Sequence, residues 1–234
     1  LKKIIEKNIQ YNIIYYDKMK TLIFHIITKD FEPDEEEKYL KTLINAAISG
    51  SADVLQLRNK KMTAGGLYRS AVFIKKMLKS FGKAQKKPAL IINDRPDIAY
   101  AAGADGVHLG QDDFSAADAK KIFPGLIIGV SAENTGQAVE AEKNGADYIG
   151  IGPAYPTGSK EDAGALMTRE TMKEICGTVN IPAIAIGGIN RFNIKELAQT
   201  GVRGIAVIGA VSNAANPSEA AVKLRKNIDK YLKK

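Results

Sequence analysis

At 234 residues the chain is long enough for one large domain or two small ones, and 45% apolar residues are ample for a buried core. No apolar run approaches the ~18–20 residues of a membrane-spanning helix, and residues 1–20 lack the continuous apolar stretch and cleavage site of a signal peptide. A cytoplasmic location with no membrane partner is expected. The formal charge of +8 suggests nucleic acid. However, residues 223–234 hold six Lys/Arg against one Asp in a helical pattern, without an aromatic-interleaved basic strand or zinc-finger spacing. That charge reads as a solvated helix face, and no nucleic-acid partner is expected. The lone Cys176 excludes an internal disulfide and any multi-cysteine metal site, and reads as a packed helix residue.

In chain order, residues 22–28 read as a first strand, with His25 as a structural side chain, and 35–48 as a helix. Gly50-Ser-Ala-Asp-Val-Leu-Gln-Leu leads into a second strand that ends in Gln56, Leu57, Arg58, Asn59 and Lys60. Residues 60–66, with Thr63-Ala64-Gly65-Gly66, read as a mobile loop able to close over a site. A helix over 67–80 and a strand over 88–93 follow, the latter ending in Asn93 and Asp94. Next come a helix over 96–102 and the strand in Gly103-Ala-Asp-Gly-Val-His-Leu, which delivers His108, Gln111 and Asp113. A helix over 116–122 precedes the strand 127–131, which ends in Ser131. The helix 135–144 precedes the strand in Gly145-Ala-Asp-Tyr-Ile-Gly-Ile, which opens into Gly152-Pro153-Ala154-Tyr155-Pro156-Thr157-Gly158-Ser159-Lys160. The helix 169–178, the strand 183–187 with Gly187-Gly188, and the helix 194–200 come next. The strand in Gly201-Val-Arg-Gly-Ile-Ala-Val, ending in Ile208-Gly209, and a helix over 218–232 complete the series.

Four of these strands follow the same pattern, a glycine that closes a helix, then an Asp or a neighbour, then a β-branched run. Eight alternating βα units predict parallel strands with right-handed crossovers. The expected fold is α/β, a single (β/α)8 TIM barrel over residues 19–234, with 1–18 as an extension outside it. A doubly wound sheet would normally carry a Gly-rich turn after its first strand, where this chain has Thr28-Lys29-Asp30. Met19 stands three residues before the first strand, and the leader is expected to be dispensable or an artefact of start-site choice.

Barrel active sites lie at the C-terminal ends of the strands, where the polar residues here collect. Asp94 and Asp113 are the metal candidates. Two nearby carboxylates repel unless a cation lies between them or one takes a proton, and Mg²⁺ commonly takes one or two carboxylates with phosphate oxygens. Either Asp also suits a helix N-cap. Arg58 and Lys60 together suit a diphosphate. Lys160 follows Thr157-Gly158-Ser159, whose hydroxyls and backbone N–H groups suit an oxyanion. Gly187-Gly188 and Gly209 match the usual barrel phosphate site. For His108, a core role and a ligand contact both stay open.

Taken in order, Gln56-Leu57-Arg58-Asn59-Lys60, Asn93-Asp94-Arg95, His108-Leu109-Gly110-Gln111-Asp112-Asp113, Gly152-Pro153-x-Tyr155-Pro156-Thr157-x-x-Lys160 and Ile186-Gly187-Gly188-Ile189 resemble the thiamine phosphate synthase family. The likeness runs from about Leu22 to the C-terminus. It implies an enzyme, a transferase that joins a hydroxymethylpyrimidine diphosphate to a thiazole phosphate and releases pyrophosphate. It implies that Gln56, Arg58, Lys60, Asn93, Ser131 and Lys160, within a binding run that includes Leu57 and Asn59, hold the pyrimidine diphosphate. It implies Mg²⁺ on Asp94 and Asp113, and catalytic roles for Arg58, Lys60 and Lys160. It places the thiazole phosphate on Thr157, Gly158, Ser159, Gly188, Ile208 and Gly209. Family members often have Ser where this chain has Gly209, so a hydroxyl contact is lost there.

The family chemistry needs no protein nucleophile, in keeping with the lack of a Ser-His-Asp or Cys-His pattern. The competing readings are a thiazole tautomerase, which needs no metal and should not need Asp94 and Asp113 together, and a noncatalytic binder of phosphorylated ligands. A sugar-phosphate isomerase would need a base near Gly187-Gly188, and none is evident. The expected partners are phosphorylated small molecules, and a homo-oligomer is left open.

Overall fold

The structure, a computed structural model, describes residues 22–82, 84–159 and 164–232. The leader 1–18 therefore lies outside the described residues. Eight parallel strands close into a barrel in sequence order: β1 (Phe24–Ile27), β2 (Val54–Leu57), β3 (Ala89–Asn93), β4 (Gly106–Leu109), β5 (Ile127–Ala132), β6 (Tyr148–Ile151), β7 (Ala183–Ile186) and β8 (Gly204–Val207). The ring closes where Phe24 of β1 registers with Ile205 of β8. The helices are α1 (Glu36–Ser49), α2 (Ala64–Ser80), α3 (Pro96–Ala101), α4 (Ala116–Ile122), α5 (Thr135–Lys143), α6 (Arg169–Thr178), α7 (Gly209–Ser212) and α8 (Pro217–Tyr231). A 3₁₀ segment, Ile194–Gln199, fills the position between β7 and β8.

Strand alternation sorts the apolar residues into two cores. Phe24, Ile26, Leu55, Leu57, Leu90 and Ile92 face the helices in the large outer core. Ile27, Val54, Ile91, Ile127, Tyr148 and Ile184 fill the barrel itself.

The glycine–Asp repeat has a physical use at the opposite end from the site. Asp53 Oδ2 accepts the backbone N–H groups of Ile23 and Phe24 at 3.2 and 2.9 Å. Asp105 accepts Leu90 N–H at 2.8 Å, and Asp147 accepts Ile128 N–H at 2.8 Å. Each carboxylate thus satisfies the start of the preceding strand, and each has a cationic partner: Lys86 and Arg225 for Asp53, Lys75 for Asp105, Lys120 for Asp147. In the fourth repeat Arg203 replaces the Asp, and Glu142 of α5 accepts the N–H groups of Asn180 and Ile181 before β7.

Two local expectations change, and one short helix was not expected. The 60–66 loop is shorter than expected, because the Thr63 side chain caps α2 by accepting Gly66 N–H at 3.2 Å. Gly65 and Gly66 are therefore helical, and Gly66 leaves room for Met62, whose Cγ lies 2.6 Å from where a Cβ would stand. The segment expected as a helix over 194–200 is 3₁₀. The short helix α7 went unread, because four residues carry no periodicity. Cys176 lies on α6 as expected, half-buried, with burial raising its thiol to about 11.

Candidate active site at the C-terminal mouth

One cavity of about 560 Å³ opens at the C-terminal ends of the strands. Its wall includes Arg58, Lys60, Asn93, Asp94, Asp113, Ser131, Thr157, Ser159, Gly188, Ile208 and Gly209. Eleven separately expected residues from seven strand ends therefore meet in one space. His108, Gln111, Glu133 and Asn190 join them.

The remaining expected residues lie elsewhere. Leu57 points outward into the core beneath the helices. The Asn59 amide is used inside the chain, donating to the Phe31 carbonyl at 2.8 Å and accepting Lys61 N–H at 3.1 Å. Gln56 points into the barrel below the cavity floor, where it lies against Tyr148. Gly158 does not border the cavity. Lys160 lies outside the described residues.

The cationic half is built by strand pairing. Arg58 is buried, and Asp30 beyond β1 meets its guanidinium at 3.3 Å while accepting Lys60 N–H at 2.8 Å. Thr28 Oγ1 donates to the Arg58 carbonyl at 2.5 Å. Sequence reading gave Thr28 and Asp30 no role; both follow the first strand, and that position was their one signal.

Beside it, at the ends of β3 and β4, stand the carboxylates. Asp94 has a left-handed backbone, φ 63°, pinned by its N–H bond to the His108 carbonyl at 2.7 Å. Strained backbone of this kind persists where surroundings enforce it, often at functional sites. Asp113 accepts Gly110 N–H at 2.7 Å and lies against Asp94. Burial, then the adjacent Asp113 charge, pushes the Asp94 carboxyl up to about 6, against the pull of Lys60 and Arg58. Neither Asp is a helix N-cap: Arg95 and Ser115 hold those positions. A carboxylate pair this close needs a proton or a cation between its members. Among the described residues, no group of three or more His, Cys, Asp or Glu is arranged to hold a metal ion. Two carboxylates would suit only a hard cation that completes its shell with phosphate oxygens and water, as Mg²⁺ does.

The remaining wall is glycine-lined. Gly187 and Gly188 have φ of 94° and 63°. A Cβ on Gly188 would stand 2.5 Å from the Pro156 carbonyl oxygen, so the β6 loop can cross only because the side chain is absent. That crossing brings Ser159 beside Gly209, the first residue of α7, and Thr157 to the same cavity.

His108 is both a core and a cavity residue. Its Nε2 lies 3.0 Å from Ser131 Oγ and its Nδ1 3.1 Å from the Tyr148 hydroxyl. A Ser-His contact thus exists that the sequence pattern did not reveal, with a phenol in place of the carboxylate of a triad. His25 is wholly buried, as expected of a structural residue.

Fold and mouth together define a (β/α)8-barrel enzyme whose site pairs cations with carboxylates. The family described as thiamine monophosphate synthase matches residues 24–211. Similar proteins include the thiamine-phosphate synthase of Methanocella arvoryzae, 44% identical over 81% of this chain and 87% of the relative. The enzyme of that name from Coprothermobacter proteolyticus is 45% identical over the same shares. Among solved structures, a thiamine phosphate pyrophosphorylase from Pyrococcus furiosus is 34% identical with a TM-score of 0.78, covering 92% of this chain and 99% of that one. A 3-hexulose-6-phosphate synthase shares the fold alone, at 18% identity and a TM-score of 0.66. The chain belongs to the thiamine monophosphate synthase family and is a transferase of thiamine biosynthesis. Among the described residues, no helix is long and apolar enough to cross a membrane.

Proposed function

We propose that this enzyme transfers the hydroxymethylpyrimidine group from its diphosphate to the nitrogen of a thiazole phosphate, giving thiamine phosphate and pyrophosphate. The observation that carries this reading is the placing of Arg58 and Lys60 next to Asp94 and Asp113, at the ends of three neighbouring strands around one cavity, whose further wall is Thr157, Ser159, Gly188 and Gly209. The charged residues suit a diphosphate with a divalent cation, the further wall a monophosphate.

The bond from the pyrimidinyl-methyl carbon to the diphosphate oxygen breaks first. Its electron pair leaves with the diphosphate, and the thiazole nitrogen lone pair then forms the new C–N bond to the resulting cation. Arg58 and Lys60 neutralise the leaving charge. Asp30 holds Arg58 to that task. Thr157, Ser159 and the Gly188 and Gly209 backbone hold the second substrate in line. Asp94 and Asp113 would hold Mg²⁺, which when bound supplies positive charge to the diphosphate oxygens. The carboxylate pair also speaks against the tautomerase reading, in which a metal pair has no use.

The test is pyrophosphate release with both substrates, with and without Mg²⁺. Release that needs both the metal and the thiazole phosphate is expected. No release with the complete mixture would overturn the reading, and proton exchange on the thiazole alone would replace it with the tautomerase.

A further inference from the structure

Four polar side chains from four strands run in one line from below the cavity floor up to its wall. Gln56 of β2 lies against the Tyr148 hydroxyl of β6. That hydroxyl lies 3.1 Å from His108 Nδ1 of β4, and His108 Nε2 lies 3.0 Å from Ser131 Oγ of β5. Only the last two border the cavity; Gln56 and Tyr148 are 3% and 2% exposed and do not. The barrel makes room for them. A Cβ on Gly129 would stand 2.4 Å from the Tyr148 hydroxyl and 2.6 Å from His108 Nδ1, and one on Gly150 would stand 3.1 Å from His108 Cε1. Two neighbouring strands thus omit side chains where the Tyr148–His108 pair sits.

Hydrogen counting allows the chain two directions, and only one of them leaves a hydrogen for an anion in the cavity. The phenol has one hydrogen, and burial keeps it on the oxygen. In that direction the Gln56 amide N–H donates to that oxygen, and the phenolic hydrogen goes to His108 Nδ1. A neutral imidazole that accepts at Nδ1 carries its proton on Nε2. Nε2–H then donates to Ser131 Oγ, and the Ser131 hydrogen is left to point into the cavity.

We propose that Gln56, Tyr148 and His108 form a one-way donor relay that makes Ser131 an obligate hydrogen-bond donor to the leaving diphosphate, with Tyr148 and His108 as positioning residues. The proposal rests on the function given above. Each donor points towards the place where negative charge grows, so each bond polarises the next. No proton leaves the relay. The same direction bars Ser131 from acting as a nucleophile, because a protonated Nε2 cannot take the hydroxyl hydrogen.

The chain has two histidines, so protein labelled with ¹⁵N-histidine gives two rings, assigned by the His108→Gln variant. His108 is expected to be protonated at Nε2 and bare at Nδ1, and its Nδ1 resonance is expected to move in Tyr148→Phe. A proton on Nδ1, alone or with one on Nε2, overturns the relay. Kinetics test its use. Tyr148→Phe is expected to lower kcat about tenfold, the worth of one hydrogen bond, with the KM for the diphosphate within about twofold. In a Ser131→Ala background the same change is expected to cost less than about twofold more. Equal losses in both backgrounds, or none in the wild type, overturn the positioning role. Should Tyr148→Phe not fold, His108→Gln in both backgrounds gives a second cycle through the same hydroxyl. The NMR arm needs no turnover, so a wild type that releases no pyrophosphate would defeat the function reading while the relay is still decided.

Discussion

Thr28 and Arg58 exchange hydrogen bonds across the ends of β1 and β2. The Thr28 hydroxyl donates to the Arg58 carbonyl at 2.5 Å and accepts the Arg58 N–H at 2.8 Å. One buried hydroxyl therefore satisfies both backbone groups of a residue that borders the cavity at the barrel mouth. Thr28→Val keeps the shape and removes both bonds. Leaving buried backbone groups unpaired costs about 1–3 kcal/mol, so a lower urea midpoint is expected. Arg58 is then less firmly aimed, and the KM for the pyrimidine diphosphate should rise about threefold or more. A wild-type midpoint and KM would show that Thr28 supports neither.

Asp94→Asn separates metal binding from folding. Asn has nearly the size of Asp and tolerates the left-handed backbone that Asp94 adopts. It also removes a buried charge that Asp113 opposes. The thermal midpoint should therefore hold or rise, while the apparent Mg²⁺ affinity falls at least about tenfold. Titrating Mg²⁺ against pyrophosphate release measures this. An unchanged Mg²⁺ requirement would remove Asp94 from the metal site.

The barrel was legible because its signal repeats. The glycine that ends a helix, the Asp behind it and the β-branched run after it recur, and Asp53, Asp105 and Asp147 show the reason in the strand starts they satisfy. Arg58, Asp94 and Asp113 could be read because charge directly after an apolar strand has few structural uses. Asp30, Thr28 and Tyr148 could not. Their roles depend on which strands lie side by side and on which alternate residue points inward, and neither is local. Leu57 and Asn59 show the converse, since within Gln56–Lys60 alternation sends Leu57 to the outer core and the Asn59 amide is drawn to the Phe31 carbonyl.

His25 sets a pH limit on stability. Burial lowers its pKa from 6.5 to about 4, although its bond to the Leu22 carbonyl works in the opposite direction. The unfolded chain takes up a proton below about pH 6.5 that the folded chain refuses until about pH 4. The contribution of the neutral ring is thus whole above 6.5 and is lost as pH falls through that window. At about 1.4 kcal/mol per tenfold change in proton affinity, the loss by pH 4 is about 3 kcal/mol. Urea unfolding at about pH 7 and about pH 4.5 should show a steeper loss for the wild type than for His25→Gln, which cannot titrate. Equal losses would mean that His25 is protonated in the folded barrel.

Gly209 stands where the family resemblance would put a serine, and adding that hydroxyl tests the proposed phosphate wall. Gly209 opens α7 beside Ser159, and its φ lies outside the left-handed region, so an L-residue fits the backbone. A Cβ there would meet Asn213 Nδ2 at 3.1 Å and Ser159 Oγ at 3.2 Å. Both are ends of side chains that can rotate by a few tenths of an ångström. Gly209→Ser then adds a donor at the wall that holds the thiazole phosphate in the proposed reaction. A hydrogen bond to a charged oxygen is worth about 1.5–3 kcal/mol at best, part of it lost to the crowding. The KM for the thiazole phosphate is expected to fall about threefold to tenfold, with kcat within about twofold, at saturating pyrimidine diphosphate. Gly209→Ala is the control, because it adds the same crowding and the same loss of unfolded-chain freedom without the hydroxyl. If Ala lowers KM as much as Ser does, the gain comes from a stiffer turn. If Ser leaves KM unchanged, residue 209 does not touch the phosphate.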